Sequence, residues 1–150
     1  MEEITKIRVG DIIVAFYMEQ PDAVHINMVN FADINAVISV RHKINIQDLM
    51  IIIDAMLSQK NFSYDVFYVD SSTNIDGRYK ASRLWVKYDN GLDKPCKITL
   101  VNGFTTSIDI VGTSMEYRPQ YFVTLSLSQE ETAKLFGNLY NKLQVNENQR

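Results

Sequence analysis

Cysteine, proline and glycine are scarce in this sequence. Its 150 residues include one cysteine, three prolines and six glycines. Cys96 has no second cysteine with which to form an internal disulfide, so the sequence excludes a fold stabilised by disulfides. No low-complexity segment and no internal repeat are visible along the chain. Because an unpaired cysteine is usually buried, we expect Cys96 to lie in the core.

Long apolar runs are also missing, since charged or polar residues interrupt every candidate for a membrane span. The sequence therefore predicts no membrane-bound segment and no membrane partner. The opening residues, MEEITKIRVGD, start acidic and lack the basic-then-apolar pattern of a secretion signal, which favours a cytoplasmic location. The net charge of −3 weighs against general binding to nucleic acid.

Motifs that carry chemistry are absent too. The chain has no phosphate-binding glycine loop, no paired-cysteine metal spacing, no His-Glu-x-x-His helix and no Gly-x-Ser-x-Gly elbow. It predicts no catalytic residue, no metal and no cofactor, and so favours a protein that is not an enzyme. One alternative stays open: if His25 and His42 meet at one edge of a sheet, they could form a small-ligand site or a minor enzymatic site.

What the chain does contain is one strongly apolar helical segment, residues 45–60. Its apolar side chains recur at spacings of three and four and form a broad stripe: Ile46, Leu49, Met50, Ile53, Met56 and Leu57. Asn45 suits the N-cap position, and the charge of Asp48 suits the positive end of the helix dipole. The stripe predicts a deeply buried helix.

Most of the remaining chain alternates apolar and polar residues, as half-buried strands do. We predict a single α+β domain over residues 1–150, with a mostly antiparallel sheet of about six to eight strands. A change of phase at Gly10-Asp11 predicts a bulge or bend in one long first strand, and a third strand is predicted at 34–40. A capping box, Ser128 and Glu131, begins an amphipathic helix at 128–143 that packs on this core. Residues 144–150 are expected to form a disordered tail.

The Asn102-Gly103 pair predicts a reverse turn. A two-residue turn would place Ile98 and Leu100 on the face opposite Phe104, whereas a three-residue loop at 101–103 keeps Leu100 and Phe104 on one buried face. We therefore expect a hairpin with this longer loop.

One surface segment, residues 78–97, carries six basic residues and only two acidic ones. Within its strand, Tyr79, Arg83, Trp85 and Lys87 share the less buried face. Alternating aromatic and basic side chains can stack bases and neutralise phosphates, and Trp, Tyr and Arg also anchor protein interfaces. A purely structural alternative is that Trp85 packs beneath the second helix, with Arg83 and Lys87 extended over it.

Three function hypotheses follow. The first is a non-enzymatic protein-binding or self-associating accessory module, of the kind found in phages and mobile elements, in which Tyr79, Arg83, Trp85 and Lys87 form the binding surface. The second is a nucleic-acid-binding protein that uses the same basic and aromatic strand. The third is a small-ligand-binding protein or minor enzyme with a site near His25 and His42.

Overall fold

The computed structural model describes residues 1–106 and 117–148. Within these residues the chain forms eight strands and two helices. In chain order they are β1 (Glu2–Val9), β2 (Ile12–Gln20), β3 (Ala23–Asn30), β4 (Ile38–Asn45), α1 (Ile46–Ser58), β5 (Phe62–Ile75), β6 (Arg78–Tyr88), β7 (Cys96–Thr105), β8 (Tyr117–Leu127) and α2 (Gln129–Asn148).

The strands form two antiparallel sheets of four strands each. The first sheet has the order β1-β2-β3-β4 and the second the order β5-β6-β7-β8. The predicted α+β class with antiparallel strands is confirmed, but the prediction of one sheet is wrong. The same order of elements, four strands and then a helix, occurs twice along the chain. No helix in the described part of the chain is both long and apolar enough to cross a membrane.

The phase change at Gly10-Asp11 marks a tight turn between two strands. Gly10 has a φ of +61°, which glycine adopts without steric cost, and the chain reverses there so that Val9 pairs with Ile12. The predicted single long strand is therefore two strands, β1 and β2.

The strand predicted at 34–40 is displaced toward the C-terminus. In the connection before β4, the side chains of Asn30 and Asp33 accept hydrogen bonds from the backbone N–H groups of Ala32 and Asn35, at 2.8 and 2.9 Å. Such turns hold the backbone out of a sheet, so the alternating pattern becomes a strand only from Ile38 onward.

Helix α1 begins as predicted. The Asn45 side chain accepts a hydrogen bond from the backbone N–H of Asp48 at 2.8 Å, which satisfies one donor of the first turn. Leu49, Ile53 and Met56 are buried, whereas Ile51 on the opposite side is exposed. The helix is therefore buried along one face only.

Helix α2 begins with the predicted capping box. The Ser128 N–H donates to Glu131 Oε1 at 2.9 Å, and the Glu131 N–H donates to Ser128 Oγ at 3.1 Å. Its apolar face packs against α1 and is as deeply buried, with Phe136 and Leu139 inaccessible to solvent. The helix continues to Asn148, so most of the segment expected to be a disordered tail, 144–150, lies within it. Residues 149–150 lie outside the described residues.

One buried apolar cluster joins both sheets and both helices, as Val14, Ile53, Leu84 and Leu139 illustrate. Cys96 belongs to this cluster, and its predicted core position is confirmed. Burial raises the pKa of its thiol to about 12, so the thiol stays protonated and unreactive at neutral pH.

The hairpin predicted at 101–103 is wrong, because β7 runs straight through these residues to Thr105. Asn102 and Gly103 instead allow close contacts between strands. Asn102 bonds both backbone groups of Arg41 in β4: its Oδ1 accepts from the Arg41 N–H at 3.0 Å, and its Nδ2 donates to the Arg41 carbonyl at 2.7 Å. Tertiary contacts therefore override the local turn preference. Ile108, which this hairpin would have placed opposite Cys96, lies outside the described residues.

Candidate site on the outward face of the second sheet

Strand β6 divides its side chains between the two faces of the second sheet. Alternate residues are buried in the core, namely Leu84, Val86 and Tyr88. Because successive side chains of a strand point to opposite faces, Arg83, Trp85 and Lys87 lie on the other face, as predicted. We call this face, which points away from the core, the outward face.

Trp85 lies on the outward face with 40% of its surface exposed. Its indole N–H donates a hydrogen bond to Ser63 Oγ of the neighbouring strand β5 at 3.1 Å. The alternative in which Trp85 packs beneath the second helix is therefore wrong. A partly exposed indole held by a hydrogen bond offers a flat surface for stacking.

Arg83 fixes the surroundings of Trp85. Its Nε donates to Asp65 Oδ1 at 2.9 Å and its Nη2 to Asp65 Oδ2, a two-pronged contact that raises the pKa of the guanidinium. The same guanidinium lies 5.4 Å from the ring centre of Phe67 and 5.6 Å from that of Trp85. Since its charge is already matched by Asp65, Arg83 serves mainly to position the two aromatic rings.

Three lysines next to Trp85 have no such partner. Lys87 and Lys97 lie directly opposite each other in the pairing of β6 with β7, and Lys94 lies in the loop that joins these strands. None of the three takes part in an ion pair within residues 1–106 and 117–148. Like charges directly opposite in a sheet are destabilising, so this arrangement leaves local positive charge that an anion would neutralise.

These lysines and Trp85 line a cleft of about 340 Å³, which we call the lysine cleft. Its floor comes from the outward face, and its wall is the loop between β6 and β7. The lining residues are Trp85, Lys87, Asp89, Leu92, Lys94, Pro95, Lys97, Thr99 and Ser126. The cleft lies at the low end of the volumes of small-molecule sites.

Contacts within and behind the loop hold this wall in place. The Asp89 N–H donates to the Pro95 carbonyl at 2.8 Å, and Asp89 Oδ1 accepts from the Gly91 N–H at 3.2 Å. Asn61, just before β5, accepts a hydrogen bond from the Asn90 N–H at 2.9 Å. The one carboxylate lining the cleft is therefore already bonded to its own loop.

Aromatic residues of β5 and β8 extend the outward face beyond the predicted strand. Phe67 and Phe122 fall in one row across the sheet with Arg83 and Val101. Phe122 is 64% exposed. Phe122 alternates with the buried Val123, Leu125 and Leu127, and the β7–β8 register shift between Asn102 and Gly103, which leaves Gln120 unpaired, lies before it in β8.

Tyr117 contacts two members of this row, Phe67 and Val101. Its ring meets that of Phe67 edge-on at 5.2 Å, and its hydroxyl donates to the Val101 carbonyl at 3.1 Å. Burial raises the pKa of the Tyr117 hydroxyl to about 12, so the residue remains neutral and acts as a spacer between strands.

Tyr79 shares the outward face but lies far from the lysine cleft. It precedes Trp85 by six residues on the same strand, a separation of about 20 Å. Ala81, which lies between Tyr79 and Arg83 on this face, is buried. The structure therefore brings together Arg83, Trp85 and Lys87, but not Tyr79.

The two histidines do not form one site. In the pairing of β3 with β4, His25 faces Lys43 and His42 faces Ile26, so the two rings lie on opposite faces of the first sheet. His25 contacts Glu19, and this hydrogen bond lowers the pKa of the Glu19 carboxyl. His42 is buried against the second sheet. A ligand or enzymatic site that combines His25 with His42 is therefore wrong, and no cluster of three metal-binding side chains occurs among the described residues.

A second cleft, of about 370 Å³, lies between β4 and β5. Its charged lining is mixed, with Asp22 and Asp48 beside Lys43. Lys43 is also paired with Glu19 at 3.3 Å and lies over the Tyr68 ring at 5.9 Å. Because Lys43 is already paired with Glu19, this cleft, unlike the lysine cleft, has no unpaired lysine or arginine among the described residues that line it.

Comparisons with protein-family models, with curated proteins and with solved structures find no match to this chain.

Proposed function

We propose that the protein binds single-stranded nucleic acid on the outward face of its second sheet. The observation that carries this proposal is the exposed Trp85 next to Lys87 and Lys97, which lie opposite each other and have no ion-pair partner among the described residues. Bases stack on exposed aromatic rings whatever their sequence, at about 1–3 kcal/mol per base, while basic side chains follow the phosphates. Phe122 offers a second exposed ring on the same face.

The charge pattern favours a nucleic acid over a protein as the partner of this face. Lysine is depleted at protein interfaces, where tryptophan, tyrosine and arginine are enriched. Here the arginine is neutralised by Asp65, and the free charges belong to Lys87, Lys94 and Lys97. An anion that meets all three lysines would also relieve the repulsion between Lys87 and Lys97.

The net charge of −3 does not oppose binding at this face. At physiological ionic strength, exposed charges act over about 8 Å, so the sign of the local field decides what approaches. The lysines of the cleft lie within such a distance of one another by strand pairing, since neighbouring strands are about 5 Å apart.

The test is a titration of the protein with a fluorescein-labelled oligo(dT) at several salt concentrations, followed by anisotropy. We expect binding that weakens as salt rises, because phosphate contacts release counterions. The double substitution Lys87→Ala and Lys97→Ala should lower the slope of log affinity against log salt by about 1.4, or about 0.7 for each lost contact. Trp85→Ala should weaken binding about tenfold or more through lost stacking.

A matched control removes two positive charges elsewhere. Lys134 and Lys142 are exposed on α2, away from the outward face. Substitution of both by alanine changes the net charge equally and should leave the salt slope unchanged. If the control pair and the Lys87 and Lys97 pair have the same effect, binding depends only on net charge and the proposed surface is wrong.

Protein binding or self-association, in a phage-type accessory protein or otherwise, remains a second candidate. The observation that favours it is the exposure of Tyr121 and Phe122, 58% and 64%, on β8. In the described part of the chain β8 is an edge strand, and edge strands with exposed apolar residues tend to pair with another chain.

Self-association through β8 predicts a dimer by light scattering that Phe122→Ser dissociates. Tyr140→Ser, which removes an exposed ring from α2, is the control and should leave the mass unchanged. A mass of one chain at every concentration would rule out self-association through β8 and leave nucleic-acid binding in place.

A further inference from the structure

The lysine cleft differs from the rest of the outward face in being closed on one side. The strand positions run from Arg83 through Trp85 to Lys87, and the loop that begins at Asp89 rises immediately beyond them. A nucleic-acid strand stacked on Trp85 and Phe122 therefore meets a wall at the lysine side. Because the wall blocks the nucleic-acid strand from continuing in that direction, the cleft fits the end of a nucleic-acid strand better than its middle.

The charge inside the cleft matches a group that only a strand end carries. Three lysines and Asp89 line the cleft, which leaves two positive charges in excess. An internal phosphodiester carries one negative charge, whereas a terminal phosphate monoester carries about −1.5 to −2 at neutral pH and has three acceptor oxygens. Ser126 also lines the cleft, and its hydroxyl supplies a further donor, whereas the Thr99 hydroxyl shares a hydrogen bond of 3.1 Å with Thr124.

We infer that the lysine cleft binds the terminal phosphate of a single-stranded nucleic acid while the adjoining base stacks on Trp85. This inference rests on the proposed function and makes it more specific, since it concerns recognition of a strand end. Lys94, from the loop, meets the phosphate from the wall, and Lys87 with Lys97 meet it from the floor.

The test compares four forms of one oligo(dT): with a 5′ phosphate, with a 3′ phosphate, with hydroxyls at both ends, and closed into a circle. Trp85 is the only tryptophan in the chain, so quenching of its fluorescence reports stacking at the site directly. We expect one of the two phosphorylated forms to bind about tenfold tighter than the hydroxyl-ended form, because it brings a second negative charge into the cleft. Whichever of the two phosphorylated forms binds more tightly shows whether the 5′ or the 3′ end of the nucleic acid lies in the cleft.

The Lys94→Ala variant distinguishes recognition of a terminal phosphate from general binding of single-stranded nucleic acid. The variant should bind the phosphorylated end no more tightly than the hydroxyl-ended form, whatever its affinity for the circle, whereas Lys134→Ala on α2 should keep the preference. Circular dichroism checks that each variant is folded. Equal affinities for all four forms would overturn the end-recognition inference and leave the proposed function standing. Absence of binding to every form would overturn both.

Discussion

Acidification is expected to destabilise the native protein through His42. This residue is 2% exposed and lies where β4 packs against the second sheet. Its Nδ1 shares a hydrogen bond of 2.7 Å with Ser82 Oγ, and its Nε2 is buried without a hydrogen-bond partner among the described residues. The Tyr68 ring lies edge-on at 6.5 Å. These surroundings offer no acceptor for the second proton of an imidazolium ion.

The direction and size of the effect follow from the two pKa values of His42. Burial, helped by repulsion from His25, lowers the pKa of His42 from 6.5 to about 3 in the folded protein. Between pH 6.5 and about 3, His42 is therefore protonated in the unfolded chain but stays neutral in the folded protein. The contribution of neutral His42 to the free energy of unfolding is fully present above pH 6.5. It falls by up to about 1.4 kcal/mol per pH unit toward pH 3, or about 5 kcal/mol over the whole interval.

Urea unfolding across this interval measures the effect. His42→Gln should show a flatter dependence of unfolding free energy on pH, whatever its stability at neutral pH. The upper part of the interval is the most specific, because the lowered pKa values of Glu19 and Asp70, held down by hydrogen bonds from His25 and Ser72, place their titration at lower pH. His25→Gln is the comparison: it removes the smaller cause of the lowered His42 pKa and leaves burial, the larger cause, in place, so it should keep most of the wild-type slope in the upper part of the interval. Parallel curves for wild type and His42→Gln would show that His42 does not govern acid stability.

Local patterns in the sequence predict the helices and the faces of single strands well. The stripe and the N-cap Asn45 identify α1, and the pair Ser128 and Glu131 identifies the start of α2, because both signals depend on neighbouring residues only. The same reasoning places Arg83, Trp85 and Lys87 on one face of β6. Side chains two residues apart on a strand share a face in any sheet. The common face of Arg83, Trp85 and Lys87 was therefore predictable from the sequence.

Features that depend on distant contacts were not predictable. The alternation of apolar and polar residues marks single strands but does not indicate where one sheet ends and the next begins. The two four-stranded sheets were therefore predicted as a single sheet. The burial of His42 was not predicted because the strand was expected to end at residue 40, whereas β4 continues to Asn45 and places His42 on the same buried face as Val40. The lysine cleft depends on a loop that folds back beside β7, which no spacing in the sequence specifies.

Gly103→Ala is expected to destabilise the protein by about 3 kcal/mol, the upper range for overpacking a core. A Cβ atom at this position would lie 2.2 Å from the Arg118 carbonyl oxygen and 2.9 Å from Pro119 Cα. Both are backbone atoms of β8, which cannot move aside as a flexible side chain would. Thermal or urea unfolding measures the loss.

The same substitution should also weaken binding of single-stranded nucleic acid. Gly103 pairs with Pro119 next to the unpaired Gln120, and Phe122 follows two residues later, paired with Val101 on the outward face. A displaced β8 would move Phe122 away from Trp85, so the remaining folded protein should bind oligo(dT) less tightly, with its lysines intact.

Gly137→Ala is the matched control for this prediction. A Cβ atom at Gly137, inside α2, has no atom within 4 Å, so alanine should stabilise the helix by up to about 1 kcal/mol and leave binding unchanged. If Gly103→Ala were as stable as wild type, the close approach of β7 and β8 would not be needed for the fold. If it were destabilised but bound oligo(dT) normally, Phe122 would not belong to the binding surface, and Trp85 with the lysine cleft would account for the affinity alone.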